Sequence, residues 1–216
     1  MDWGVLVRYS NLIWSGLLTT LKLSIYILLV SNVVGLMLGF LRAFGPPWIR
    51  RICGIYVEIF RNIPAVLQLF IWFFAFGLSQ WEAAVLALGI FASASVGETY
   101  RAGILSIPYE QIESAQSTGL SPLQIARYIL IPQAFLIVLP PLATNTLSTV
   151  KNTSLAMTIG ITELTFSVKE ISQRSYRGFE AATAVTIIYL LLSLVIGTSM
   201  QALEKKLRIR ERVGYR

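Results

Sequence analysis

The sequence contains no histidine and a single cysteine, Cys53. The first absence removes the commonest metal ligand and proton shuttle of proteins, and the second excludes an internal disulfide. GxxxxGK[ST], GxSxG and HExxH are all missing, so no phosphate-cradling loop, nucleophile elbow or zinc-protease helix is encoded. No metal site and no cofactor bound by the chain itself are expected. A catalytic role would have to rest on 11 scattered Asp and Glu residues. Charge is scarce as well: 13% of residues are charged against 55% hydrophobic, and the mean hydropathy is +0.67. A chain this apolar cannot be arranged around one water-soluble core. It belongs in a bilayer.

Crossing about 30 Å of hydrocarbon as a helix takes about 20 residues, so 216 residues accommodate about five crossings with short connections. Residues 1–216 therefore read as one all-α integral membrane domain with no room for a separate soluble one. Spans are expected at 17–41, 52–76, from a turn at Gly77 to about 97, at 133–150 and at 181–203. Met1, Asp2 and Trp3 lack the basic start of a signal peptide, so the first span should stay in the mature protein. It holds Gly35 and Gly39, a small-xxx-small spacing that suits either internal packing or a dimer face. The second is interrupted by Glu58, Arg61 and Pro64, and Pro140 and Pro141 lie inside the fourth. Residues 151–180 are mixed, with an apolar piece at 155–161 too brief to cross, and read as partly re-entrant or interfacial. Such backbone is tolerated at membrane depth only when protein covers it or it lines a cavity.

The net charge of +7 does not point to nucleic acid, because Lys and Arg cluster beside apolar runs and are not interleaved with exposed aromatics on a polar surface. They report topology instead. With the N-terminus outside, eleven basic residues fall on the cytoplasmic side, including Arg42, Arg50, Arg51, Arg101, Arg127 and the tail from Lys205 to Arg216; five fall outside. The positive-inside rule thus favours an external N-terminus and a cytoplasmic C-terminus.

One polar segment, about 104–132, separates the third and fourth spans. Pro108 can open a short helix, Gly119 supplies a turn, and Ser121 with Pro122 supplies an N-cap and first helical residue for a second helix. A short helix across the membrane surface can fit a groove on a soluble partner and pass rigid-body motion to the spans at both ends. Ala115 would keep the docking face shallow, Glu113 would cap the helix or pair with a basic partner residue, and Gly119 would take a backbone conformation other residues resist. The series Glu113, Ser114, Ala115, then Gly119, Ile129 and Pro132 resembles the EAA loop of ABC-transporter permeases, E-A-A-x3-G-x9-I-x-L-P, with departures at Ser114 and Ile131.

The resemblance reaches from about residue 16 to 208 through Gly16–Leu21, Tyr56–Pro64, Glu98–Gly103 and Ile159–Leu164, and is to the polar amino acid permeases of bacterial ABC importers. It implies a type I transmembrane domain with a cytoplasmic coupling helix in the plasma (inner) membrane, not itself an enzyme. The implied partners are a cytoplasmic ABC ATPase dimer that binds ATP and Mg, a second permease chain or a copy of this one, and an external or periplasmic amino-acid-binding protein.

Ionisable groups inside apolar spans are expensive and usually face a cavity or partner. Glu58 and Arg61, three apart, can neutralise one another, while Pro64 bends the helix and frees a carbonyl. Lys151, Asn152, Thr153 and Ser154 end the fourth span with a cation and hydrogen-bonding groups that either hold a carboxylate or leave Lys151 to snorkel. The resembled family usually carries Lys-Asp-Thr-Ser there, so Asn152 removes a negative charge. Phe60–Pro64, Val150–Asn152 and Phe179–Ala181 look most like its glutamate/aspartate branch. Arg61, Lys151, Asn152, Thr153 and Ser154 are the candidate substrate path, and its charge favours an acidic amino acid. Arginine, histidine and glutamine stay open, since each has an α-carboxylate for those cations to hold. So do a self-contained channel or carrier and a non-transporting scaffold.

Overall fold

The computed structural model describes residues 2–214, with side chains through Leu207. Arg216, and the side chains of Arg208, Arg210 and Arg212 in the basic tail, lie outside this description. Every described element is helical. A short α1 (Gly4–Arg8) leads into α2 (Ser10–Phe44), α3 (Pro47–Asn62) and α4 (Ala65–Phe70), which continues as a π turn over Ile71–Ala75. Then come α5 (Gln80–Leu105), α6 (Tyr109–Ser117) and α7 (Pro122–Ile125), and a second π turn at Ala126–Leu130 joins α7 to α8 (Ile131–Asn152). A 3-10 stretch at Thr153–Ile159, α9 (Leu164–Ser175) and α10 (Gly178–Gly214) complete the chain.

Four segments are long and apolar enough to cross a membrane: Ser10–Phe44, Gln80–Leu105, Pro122–Ile159 and Gly178–Leu207; Pro47–Asn62 with Ala65–Ala75, bent by 100°, brings the number to five when the pair is taken as one broken span. The expected second span at 52–76 is therefore a broken one. Ile63, immediately before Pro64, is extended at φ −88°, ψ 128°, as the proline ring demands of its predecessor. Gln68 repairs the break by donating from Nε2 to the carbonyls of Phe60 (2.9 Å) and Ile63 (3.0 Å). The third span also runs further than hydropathy suggests, to Leu105. Its polar end stays helical because Glu98 is paired with Arg42 and Arg101. At its start, Ser79 and Glu82 form a reciprocal capping box.

The frame is α2 laid on α5. A Cβ on Gly35 would meet Val96 Cγ1 at 2.6 Å, and one on Gly39 would meet Tyr100 Cβ at 2.6 Å. The small-xxx-small face is thus used inside the chain. Leu23, Ile27, Leu69, Leu88, Ala156 and Ile159 form the main core cluster, joining α2, α4, α5 and the 3-10 stretch. That places the brief apolar piece of 151–180 under protein cover, the condition for irregular backbone at membrane depth. The outer surface is apolar: Val33 is 70% exposed, Phe74 70% and Val195 62%. Hydrocarbon, not water, suits such a surface.

Candidate coupling elbow and polar cavities

The segment between α5 and α8 folds as a helix, a tight turn and a second helix. The α6 helix closes with the Leu120 amide donating to the Ala115 carbonyl (3.3 Å) and Gly119 at φ +84°, a left-handed stop that favours glycine. Ser121 caps α7: its Oγ accepts from the Gln124 amide (3.4 Å), and the Ser121 amide donates to Gln124 Oε1 (2.8 Å). Pro122 follows as the first helical residue. At the other end Pro108 is the cap position of α6, one place ahead of the first helical residue.

Two expectations change here. Ala115 is 5% exposed and packs inward with Ile107, Ile125, Leu130 and Ala134, so its small side chain brings α6 close to α7 and α8 and forms no part of an outer face. Glu113 caps nothing, since it lies five residues past Pro108, beyond the free amides of the first turn. Glu113 and Ser114 are exposed and form the outward side of α6. Pro132 is the second residue of α8. It has no amide to continue the ladder, and the π turn at Ala126–Leu130 immediately before it accommodates the loss.

Two polar cavities flank α8. The inner one, about 530 Å³, is lined by Arg61, Ser95, Glu98, Thr99, Ser106 and Asn145 among others. Asn145 Nδ2 donates to Thr99 Oγ1 at 3.0 Å across it. The outer one, about 380 Å³, holds Lys151, Ser154, Thr165, Thr186 and Tyr189. Arg61 and Lys151 are therefore not in one site. They sit at successive depths, with Asn145 and Lys151 about 9 Å apart along α8 at 1.5 Å per residue.

The Glu58–Arg61 pair is not formed; Glu58 instead accepts from Asn62 Nδ2 at 3.2 Å. Neither Arg61 nor Lys151 has an acidic partner among the described residues. Thr153 is fully buried and donates back to the Val150 carbonyl at 2.7 Å, and Asn152 lines neither cavity. Of the four residues from Lys151 to Ser154, the first and last reach the outer cavity.

Glu163 escaped the sequence reading. Fully buried, it caps α9 by accepting from the amides of Thr165 and Phe166 (2.8 Å each), and the Tyr189 hydroxyl donates to its Oε2 at 3.0 Å. Burial pushes this carboxyl above the usual carboxylate range, against the opposing pull of those hydrogen bonds. The only local signal is its place directly ahead of α9. No group of three His, Cys, Asp or Glu able to hold a metal occurs among the described residues.

Residues 12–209 match the model of the binding-protein-dependent transport system inner membrane component. The chain belongs to this family. It is 30% identical to the glutamate/aspartate import permease protein GltJ of Escherichia coli K12, over 99% of this chain and 97% of that one. It is 31% identical to the glutamine transport system permease protein GlnP of the same organism (96% and 98% covered) and 33% identical to a probable glutamine ABC transporter permease of Bacillus subtilis (92% and 93%). A crystallised amino acid ABC transporter, solved with histidines, superposes with a TM-score of 0.88 at 30% identity, covering 95% of this chain and 99% of its own. The MetNI methionine transporter shares the fold, with a TM-score of 0.79 at 22% identity. The protein is thus a multi-pass inner-membrane permease subunit of an amino acid ABC importer, with the type I transmembrane fold. Importers of this kind work with an ATPase, a binding protein and a second permease subunit.

Proposed function

We propose that this permease carries an acidic amino acid, glutamate or aspartate, inward through the two cavities beside α8, and that the elbow at about 104–132 receives the work of a partner ATPase dimer in which ATP and Mg are bound. Lys151, facing a hydroxyl-lined cavity with no acidic partner, is the observation that carries the choice of cargo. A charge-assisted hydrogen bond from such a cation contributes about 1.5–3 kcal/mol. Asn152 in place of the family's usual Asp keeps the neighbourhood free of a competing carboxylate. Glu163 lines neither cavity, and its oxygens are taken up by the Thr165 and Phe166 amides and the Tyr189 hydroxyl. Arg61, on the inner cavity, is the second cationic station; Ser154 supplies a hydroxyl to the first. Asn152 and Thr153 hold the backbone that presents them.

At the elbow, Glu113 and Ser114 offer the docking side, Ala115 fixes the helix packing beneath it, Gly119 makes the turn, and Pro132 begins the rod that transmits motion. With the bent α3–α4 pair counted as one crossing, the crossings number five and the two termini fall on opposite faces. The basic excess puts the C-terminus and the elbow in the cytoplasm and the N-terminus outside, where a binding protein would deliver cargo to the permease pair.

Glutamine is the second reading, favoured by the glutamine permeases among the relatives. Uptake of labelled glutamate into vesicles containing the assembled importer, competed by a panel of amino acids, separates the two. Glutamate and aspartate should compete, with glutamine, arginine and histidine ineffective. Competition by glutamine as strong as that by glutamate would overturn the acidic assignment.

A further inference from the structure

An apolar groove of about 580 Å³ opens between α2, α5 and the start of α8, on the same end of the molecule as the elbow. Its walls include Val33, Met37, Phe44, Ile104, Leu130 and Val138. Several of these are open to the surroundings: Val33 is 70% exposed, Met37 56% and Phe44 52%. One polar group enters the lining, and it is already satisfied, since the Tyr100 hydroxyl donates to Asn32 at 3.0 Å. The groove therefore selects an apolar occupant.

We propose that this occupant is one acyl chain of an anionic phospholipid, its phosphate held by Arg127. Length is the first support. From Val33 to Phe44 the groove follows α2 for about 16 Å at 1.5 Å per residue, close to the ~15 Å depth of one hydrocarbon leaflet. Charge is the second. Arg127 adjoins Ala126, a groove residue, is exposed, and forms no ion pair with Glu110, Glu113 or any other described acid. Its guanidinium lies 5.8 Å from the Tyr128 ring. Tyr128 (63% exposed) and Trp48 (64% exposed) are the amphipathic rings expected at headgroup depth. This end of the groove thus carries the aromatic rings and the arginine without an acidic partner that a headgroup calls for.

The site also borders the moving part. Val138 lines the groove, Gly103 lines the inner cavity, and the two residues pack so tightly that a Cβ on Gly103 has no room beside the valine. A seated acyl chain braces α8 against α5 where both meet the elbow.

The test uses the assembled importer in phosphatidylcholine vesicles doped with phosphatidylglycerol that carries a photoactivatable group on its acyl chain, and a matched phosphatidylcholine probe. The label should map to residues 33–44 and 126–138, with the phosphatidylglycerol probe labelling more strongly. Arg127→Gln, an exposed substitution, should cut phosphatidylglycerol labelling about fivefold while leaving the phosphatidylcholine probe unchanged. Met37→Trp, which fills the groove from an exposed position, should abolish labelling there by both probes. Equal labelling by the two probes with no response to Arg127→Gln, label spread evenly over all lipid-facing helices, or an unlabelled groove covered by another protein chain would each overturn the site. None of these outcomes depends on uptake or on which amino acid is carried.

Discussion

Two of the helices that pack against α5, α2 and α8, do so in opposite ways. Along α2 the contact is closed: Gly35 and Gly39 admit Val96 and Tyr100 so tightly that no side chain fits between, and Arg42 clamps the end on Glu98. Along α8 the contact is tight at one point, where Gly103 admits Val138, and beside it lie a polar cavity, an apolar groove and a hydrogen bond from Asn145 to Thr99 across the first. The first pair is a fixed frame. The second is less filled and joins the two helices that the elbow connects, so the proposed push on α6 would act there first.

The sharpest way to break this contrast is to disable the elbow while sparing the frame. Gly119→Pro cannot reach φ +84°, because the ring holds φ near −65°; uptake driven by ATP should be abolished while membrane insertion stays normal. Full uptake by this variant would end the coupling role. Next in size is Lys151→Glu, which should raise the half-saturation concentration for glutamate about tenfold or more, the equivalent of ~1.4 kcal/mol; unchanged transport would remove Lys151 from the path. On the frame side, Gly39→Leu should cost about 1–3 kcal/mol by overpacking, seen as a lower unfolding temperature of the purified chain, whereas a fall no larger than that for Gly54→Ala, where an added Cβ meets nothing within 4 Å, would show that α2 and α5 are not so tightly joined.

A smaller effect is expected at Glu163. Its raised pKa means that the folded chain keeps a proton the unfolded chain has already released, so stability falls as pH rises through the range above the ordinary carboxylate value. Glu163→Gln should flatten that fall in a melting series from about pH 5 to about pH 8, and an unaltered slope would assign it elsewhere. Ser121→Ala is the mildest change, losing about 1 kcal/mol of capping. Faster amide exchange confined to 119–125 is the expected sign.

The elbow could be read from sequence because its instructions are local. Gly119, Ser121 and Pro122 each fix a backbone state within a few residues of themselves. Which way α6 faces was not legible: Ala115 looked like an outer residue until Ile125 and Leu130 were found over it. Distance along the chain hid the rest. Arg42 and Glu98 are 56 residues apart, and no spacing rule joins them. Glu58 and Arg61 had the right spacing for a pair, yet Asn62 competes for the carboxylate. Pro64 announced an interruption, but its 100° angle depends on Gln68 satisfying both freed carbonyls. The division of Arg61 and Lys151 between two cavities follows from how α3, α5, α8, α9 and α10 meet, which no single segment encodes.

Docking of the elbow by an ATPase is tested most directly by cross-linking. Cys53 is the only cysteine and is buried, so Cys53→Ser provides a clean background for Glu113→Cys. In the assembled importer a short thiol cross-linker at position 113 should capture the ATPase subunit, and an impermeant thiol reagent added from outside should leave that position unlabelled. Labelling from outside, or capture of the external binding protein in place of the ATPase, would contradict it.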